Sequence, residues 1–203
     1  DSSDYAIYDT FFFNRDSGVV CGGSEHGYGF VLRTYDGGMT WDSTTSSIVV
    51  CTNLHFFTDS VGIAGGQDGY IYKTFDGGIT WNYFSDIPLA DFSGISFINE
   101  NIGFIRDCDG NLYKTINGGA NWTFLVDVKP STPYYLYDYK TNPICFINDS
   151  TGFVCGKGVY KTTDQGDTWT SKADSLNIYN AIIMFDESEG IAIGNNGAII
   201  KTY

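Results

Sequence analysis

Basic residues are scarce in this chain. Its 203 residues include 11 Lys and Arg against 24 Asp and Glu, a formal net charge of -13, and the arginines are Arg15, Arg33 and Arg106 alone. Such a surface repels phosphate backbones and anionic headgroups, which excludes nucleic-acid binding and leaves cations, neutral glycans and basic protein surfaces as partners. Long apolar runs are also missing, so no direct membrane insertion is expected. With two histidines, His26 and His55, no Gly-x-Ser-x-Gly elbow and no zinc motif, the usual hydrolase and metalloenzyme signatures are lacking. Helical periodicity is absent as well.

What is abundant is aromatic residues and glycine: 15 Tyr, 15 Phe and 25 Gly, with 42% hydrophobic and 17% charged residues overall. That is a globular composition of short strands and tight turns. Four segments repeat: Thr34-Tyr-Asp-Gly-Gly-Met-Thr-Trp41, Thr74-Phe-Asp-Gly-Gly-Ile-Thr-Trp81, Thr115-Ile-Asn-Gly-Gly-Ala-Asn-Trp122 and Thr162-Thr-Asp-Gln-Gly-Asp-Thr-Trp169. Each follows a strand-like run ending in Arg or Lys and then Thr. A fifth copy reaches Ile200-Lys201-Thr202-Tyr203. Upstream, an aromatic or Met precedes a Gly by six residues five times: Phe12 and Gly18, Phe56 and Gly62, Phe97 and Gly103, Phe146 and Gly152, Met184 and Gly190.

The period of roughly 40 residues is that of propeller blades. Each unit reads as strand A, a polar turn, a Gly-led strand B, a second turn, an alternating strand C, the Asp-Gly turn and a Trp opening strand D. The expected fold is an all-β propeller of four-stranded antiparallel blades, a single domain over residues 1–203 with five repeats, the last incomplete. Within the turn, Asp36, Asp76, Asn117 and Asp164 should accept backbone hydrogen bonds. Gly38, Gly78, Gly119 and Gly166 supply positive φ, and Trp41, Trp81, Trp122 and Trp169 bury their rings between units. Asn117 and Asn121 replace Asp and Thr in the third copy, whose turn should be looser.

These segments resemble the Asp-box, or bacterial neuraminidase repeat. With the preceding Tyr-Lys-Thr and the upstream Phe-to-Gly element, the chain is most similar to propellers like the photosystem II stability and assembly factor. The resemblance spans nearly the whole chain. It implies that the Asp-boxes lie on the face away from the ligand site. It does not fix an activity, because such propellers include sialidases, glucanases, receptors and assembly factors. A sialidase needs an arginine cluster that Arg15, Arg33 and Arg106 cannot supply.

The candidate ligand-binding residues fall on the other face. The long segment from Val126 to Pro143 carries Tyr134, Tyr135, Tyr137 and Tyr139, a contact surface for a glycan or protein. The B–C turns carry Glu25, His26, Asp68, Arg106, Asp107 and Asp109. Their carboxylates can hold polar ligand groups or Ca²⁺, although no recognised metal loop is present and solvated turn residues are the plainer reading. Among five cysteines, Cys145 and Cys155 flank the A–B turn of the fourth repeat and are candidates for a disulfide; buried free thiols are the alternative. Cys21, Cys51 and Cys108 have no clear mates. Asp1-Ser2-Ser3-Asp4 reads as a mature start, so the expected location is extracellular, cell-surface or periplasmic. The missing fifth Asp-box turn points to a piece of a longer chain or a larger ring, with a true five-bladed ring as the other reading. The expected function is a non-catalytic binding or scaffold module needing no cofactor. The alternatives are a glycoside hydrolase with two carboxylates at the channel mouth and a purely structural domain of a surface protein.

Overall fold

A computed structural model of the chain describes residues 5–24, 27–44, 48–88, 90–127, 143–172 and 177–202. The described residues form nineteen strands in five antiparallel sheets. Sheet 1 contains β1 (Tyr5–Phe12), β2 (Gly18–Ser24), β3 (Gly29–Thr34) and β4 (Asp42–Ser43). Sheet 2 contains β5 (Cys51–Phe56), β6 (Gly62–Gly66), β7 (Tyr70–Thr74) and β8 (Asn82–Asp86). Sheet 3 contains β9 (Phe92–Phe97), β10 (Gly103–Asp107), β11 (Asn111–Thr115) and β12 (Thr123–Asp127). Sheet 4 contains β13 (Ile144–Phe146), β14 (Gly152–Gly156), β15 (Gly158–Thr162) and β16 (Thr170–Ser171). Sheet 5 has three strands, β17 (Tyr179–Met184), β18 (Gly190–Gly194) and β19 (Ile199–Thr202). Each sheet is a simple meander, as the repeat predicts for a β-propeller. The chain divides into two compact units, Asp1–Phe92 and Ser93–Tyr203. The first holds sheets 1 and 2, the second sheets 3, 4 and 5.

The Phe-to-Gly spacing has a steric cause. In sheets 1, 2, 4 and 5 the aromatic or Met pairs directly opposite the Gly across the A–B hairpin, and in sheet 3 Phe97 likewise covers Gly103. The ring lies flat over the glycine: a Cβ on Gly62 would stand 2.5 Å from Phe56, and one on Gly103 2.3 Å from Phe97. The Trp of the same repeat then meets that Phe edge-on, as in Phe56–Trp81 and Phe97–Trp122. Each Trp therefore packs first against its own repeat. Trp81 also joins the layer between sheets 1 and 2, where it is 4% exposed.

Both turn types at this end of the sheets are closed by side chains. In the A–B turns one oxygen accepts two consecutive backbone N–H groups. Asn14, Thr58, Asn99, Asn148 and Asp186 fill this place. In the C–D turns the Asp36 carboxylate accepts from the Thr40 N–H at 2.9 Å, the Thr40 hydroxyl at 2.6 Å and the Thr34 hydroxyl at 2.8 Å. The Thr34 hydroxyl in turn accepts from the Gly38 N–H, and the Trp41 indole donates to the Gly38 carbonyl. Asp76 and Asp164 repeat the network. Asn117 keeps the backbone form but lacks the bond from a residue-121 hydroxyl. The turn is thus one hydrogen bond poorer rather than reshaped.

The Thr40 and Thr34 bonds hold Asp36 down at about 2, and the Thr168 and Thr162 bonds hold Asp164 at about 2. Asp76 is also lowered: burial opposes this, but its bonds from Thr80 and Thr74 outweigh it. These carboxyls are more acidic folded than unfolded, where Asp titrates near about 3.9. Their stabilisation is therefore complete above pH ~4 and lost as pH falls toward ~2. An acid titration of thermal stability should show the melting temperature falling across this window. The Asp36→Asn, Asp164→Asn double variant should show a shallower fall; an unchanged slope would refute the assignment.

Within each unit the sheets stack face to face. Val19, Cys21 and Val31 of sheet 1 pack against Cys51, Leu54, Phe56, Ala64 and Trp81 of sheet 2. In the second unit Phe104 and Leu112 of sheet 3 meet Ile144 and Val154 of sheet 4. Phe153, Cys155 and Val159 of sheet 4 meet Tyr179, Ile182, Met184 and Ala192 of sheet 5. Successive residues of β14 thus serve opposite neighbours, Val154 toward sheet 3 and Phe153 and Cys155 toward sheet 5, which is why this strand is buried on both faces. Polar ties cross the same layers: Lys114 Nζ contacts Asp167 at 2.7 Å, and Lys161 Nζ donates to the Glu187 carbonyl. On sheet 5, Ile193 and Ile199 occupy the places that Cys21 and Val31 hold on sheet 1, yet they are 50% and 73% exposed.

Candidate functional site

Because A–B and C–D turns share one end of each four-stranded sheet, the B–C turns and D–A connections share the other. The Gly37 and Gly77 N–H groups tie the first pair together by donating to the Asp16 and Ser60 carbonyls. The expected ligand face is therefore the B–C end. Glu25, His26, Tyr134, Tyr135, Tyr137 and Tyr139 lie outside the described residues. The other candidates, Asp68, Arg106, Asp107 and Asp109, are placed.

Asp68 sits in a 3-10 turn, Gln67–Gly69, between β6 and β7, in the left-handed region at φ 57°. Its backbone N–H donates to Asp91 at 2.9 Å, which ties the B–C turn to the D–A connection. Its own carboxylate points to solvent. The next residues extend this surface. Tyr70 opens β7 opposite Asp86, the last residue of β8. The exposed rings of Tyr70 and Tyr83 meet edge to face with centroids 6.2 Å apart. The Tyr83 hydroxyl donates to the Asp86 carboxylate, and that bond raises the phenol above its usual range. Sheet 2 thus presents two tyrosines held in fixed relation and bordered by Asp68, Asp86 and Asp91. Tyr70, Tyr83, Asp86 and Asp91 do not stand out in the sequence as site residues. The available signal was a Tyr at the start of strand C facing an Asp at the end of strand D.

On sheet 3 the outcome is different. Asp107 is the last residue of β10 and is only 3% exposed. Its carboxylate accepts from the Asn111 backbone N–H and side-chain amide, both at 2.8 Å, and from the Tyr113 hydroxyl at 3.3 Å. Burial raises its pKa against the lowering pull of the Asn111 bonds. This acid closes its own turn. Arg106 is likewise in the strand, 7% exposed, with Nη1 donating to Ser93 Oγ at 3.2 Å and Nε without a partner. Burial pulls its pKa down. Asp109 alone of the three is exposed.

His55 lies half-buried on β5, where burial lowers it to about 4 and its ring meets Phe57 edge to face at 5.1 Å. The candidate Cys145–Cys155 bridge is not formed: all five cysteines are free, the other of the two readings. The register sets Cys145 opposite Phe153, so Cys155 is its diagonal neighbour two residues on. Diagonal neighbours stand roughly 7–8 Å apart, beyond disulfide reach without backbone movement. Among the described residues no group of three or more His, Cys, Asp or Glu is placed to hold a metal ion, and no helix is long and apolar enough to cross a membrane.

No family model matches the chain, and no curated protein matches it. Solved structures do. YCF48 from Cyanidioschyzon merolae is similar with a TM-score of 0.69 at 19% identity, over 99% of this chain and 68% of that one. A structure titled YCF48 bound to D1 peptide is similar at 0.52 and 16% identity, over 99% and 94% of the two chains. An ancestral GH74 enzyme is similar at 0.72 and 17% identity, over 95% of this chain and 28% of that one. At such identities the likeness concerns the backbone, and together with the five meanders it establishes this chain as a β-propeller.

Proposed function

We propose that the chain is a non-catalytic, exported propeller that binds a protein partner through the B–C end of its sheets, with no cofactor. The carrying observation is the patch on sheet 2, where Tyr70 and Tyr83 are locked together and bordered by Asp68, Asp86 and Asp91. Tyrosines held this way lose little entropy on contact, and a lysine or arginine fits an aromatic face beside a carboxylate. The net charge of -13 favours a basic partner surface. That YCF48 is described bound to a peptide agrees with this use of the fold. Asp107, which closes its own turn, argues against a free catalytic carboxylate at that position.

The test is a binding screen of the whole chain against arrays of basic peptides and neutral glycans. Peptide binding should weaken about 10-fold or more in the Tyr83→Ser, Asp86→Asn double variant, and should fall with salt. Met39→Ser and Ile116→Ser, on exposed C–D turns, should leave it unchanged. Chelation should have no effect. Loss confined to the C–D variants would sink the proposal. Glycan binding with release of reducing ends would establish the hydrolase alternative instead.

A further inference from the structure

Two cysteines without mates in the sequence meet in the packed layer between sheets 1 and 2. Cys21 lies on β2 and Cys51 opens β5, 30 positions along the chain. Cys21 turns toward sheet 2 with Val19 on alternate positions of β2, and the bulge between Cys51 and Asn53 turns Cys51 back toward sheet 1, into the layer that Leu54 and Phe56 also enter. The Cys21 thiol donates to the Cys51 carbonyl at 3.3 Å, and the Cys51 thiol donates to the Asn53 carbonyl at 3.4 Å. The two side chains also act on each other directly. Val31, Ile48, Leu54 and Ala64 close in the same layer, and Cys21 and Cys51 are 0% and 2% exposed. Cys108, by contrast, is exposed, and Cys145 and Cys155 are held in diagonal register.

We infer that Cys21 and Cys51 are a redox-modifiable pair that forms a disulfide latch between sheets 1 and 2 when the chain meets a low-molecular-weight disulfide. One cysteine, as thiolate, attacks the small disulfide, forms a mixed disulfide and expels one small thiol. The second cysteine attacks the protein sulfur of that bond, joins Cys21 to Cys51 and expels the other small thiol. Two protein thiols are oxidised, one small disulfide is reduced, and the two cysteine protons end on the two released thiols. Burial raises the Cys21 thiol well above its usual range, so the exchange proceeds when the layer opens or before it closes during folding. The bridge would constrain the unfolded chain over a 30-residue loop and hold the two sheets together.

The test treats the folded chain with excess oxidised glutathione, blocks residual thiols under denaturing conditions and maps tryptic peptides. Cleavage after Arg15, Arg33 and Lys73 separates Cys21 and Cys51 into different peptides, whereas Cys145 and Cys155 share one. The expected product is the crosslinked pair 16–33 and 34–73. The melting temperature should rise by roughly 5–10 °C and return on reduction. In Cys51→Ser the link and the rise should both vanish. If that variant does not fold, the oxidised and reduced forms of the unaltered chain still give the comparison. No 21–51 link, a link without thermal shift, or a shift that persists in Cys51→Ser would overturn the inference.

Discussion

Phe104→Ala is expected to destabilise the chain by about 3–5 kcal/mol, the range for emptying a large aromatic site that cannot collapse. Phe104 is fully buried and stacks on Phe146 at 4.3 Å with planes 14° apart. Its far edge abuts the C–D turn of sheet 4: a Cβ on Gly166 would lie 2.5 Å from the ring. Lys114, whose ammonium reaches Asp167 on that turn, passes 5.8 Å from the ring centroid. Removing the ring therefore loses apolar contact and also loosens the hairpin that Lys114 engages. The walls are two hydrogen-bonded sheets, which limits relaxation into the void. Urea unfolding followed by fluorescence and circular dichroism should show the midpoint falling sharply. Ile116→Ala, exposed on a C–D turn, should stay within about 0.5 kcal/mol of the parent. Equal effects from the two variants would contradict the packing assigned to sheets 3 and 4.

Gly69→Ala should be comparably damaging, by roughly 3–5 kcal/mol, for a backbone reason. Gly69 follows Asp68 in the B–C turn of sheet 2 with φ +75°, and an added Cβ would lie 1.8 Å from the Ile87 carbonyl oxygen. That carbonyl belongs to the D–A connection, whose Ile87 N–H donates to the Gly69 carbonyl at 3.0 Å. The substitution thus combines left-handed strain with a backbone clash and pushes apart the segments carrying Asp68 and Asp91. Gly197 supplies the control. It occupies the matching turn of sheet 5 at φ +74°, but nothing stands within 4 Å of its would-be Cβ. Gly197→Ala should therefore lose only about 1 kcal/mol, the dihedral part alone. Thermal melts of both variants measure the difference. Similar losses would mean that the Ile87 approach has no energetic weight.

The contrast between these two glycines shows where reading a sequence stops. Asn195-Asn196-Gly197 and Gln67-Asp68-Gly69 look alike as turn signals and adopt the same 3-10 geometry. Only the position of Ile87 separates a strained turn from an open one. The same holds for acids. Asp36 and Asp107 are both followed by a polar partner four residues on, but the first is written into an eight-residue repeat visible four times. The second is read as a solvated ligand residue until Asn111 and Tyr113 close around it. Cysteine pairing failed for a related reason. Hairpin proximity favoured Cys145 and Cys155, yet register sets disulfide geometry within a sheet, and a shift of two residues puts the sulfurs out of reach.

By itself the sequence determined the repeat, the strand order within each sheet, the end at which the Asp-Gly turns lie and the identity of the residues that close them. These are local consequences of spacing: a Phe covers the Gly it pairs with, and a carboxylate reaches N–H groups within its own hairpin. The tertiary structure alone decided which side chains meet across the layers. It brought Cys21 to Cys51, stacked Phe104 on Phe146 and set Lys114 against Asp167. Such encounters depend on how two sheets stack and on which face each strand residue turns, and no single repeat contains that information.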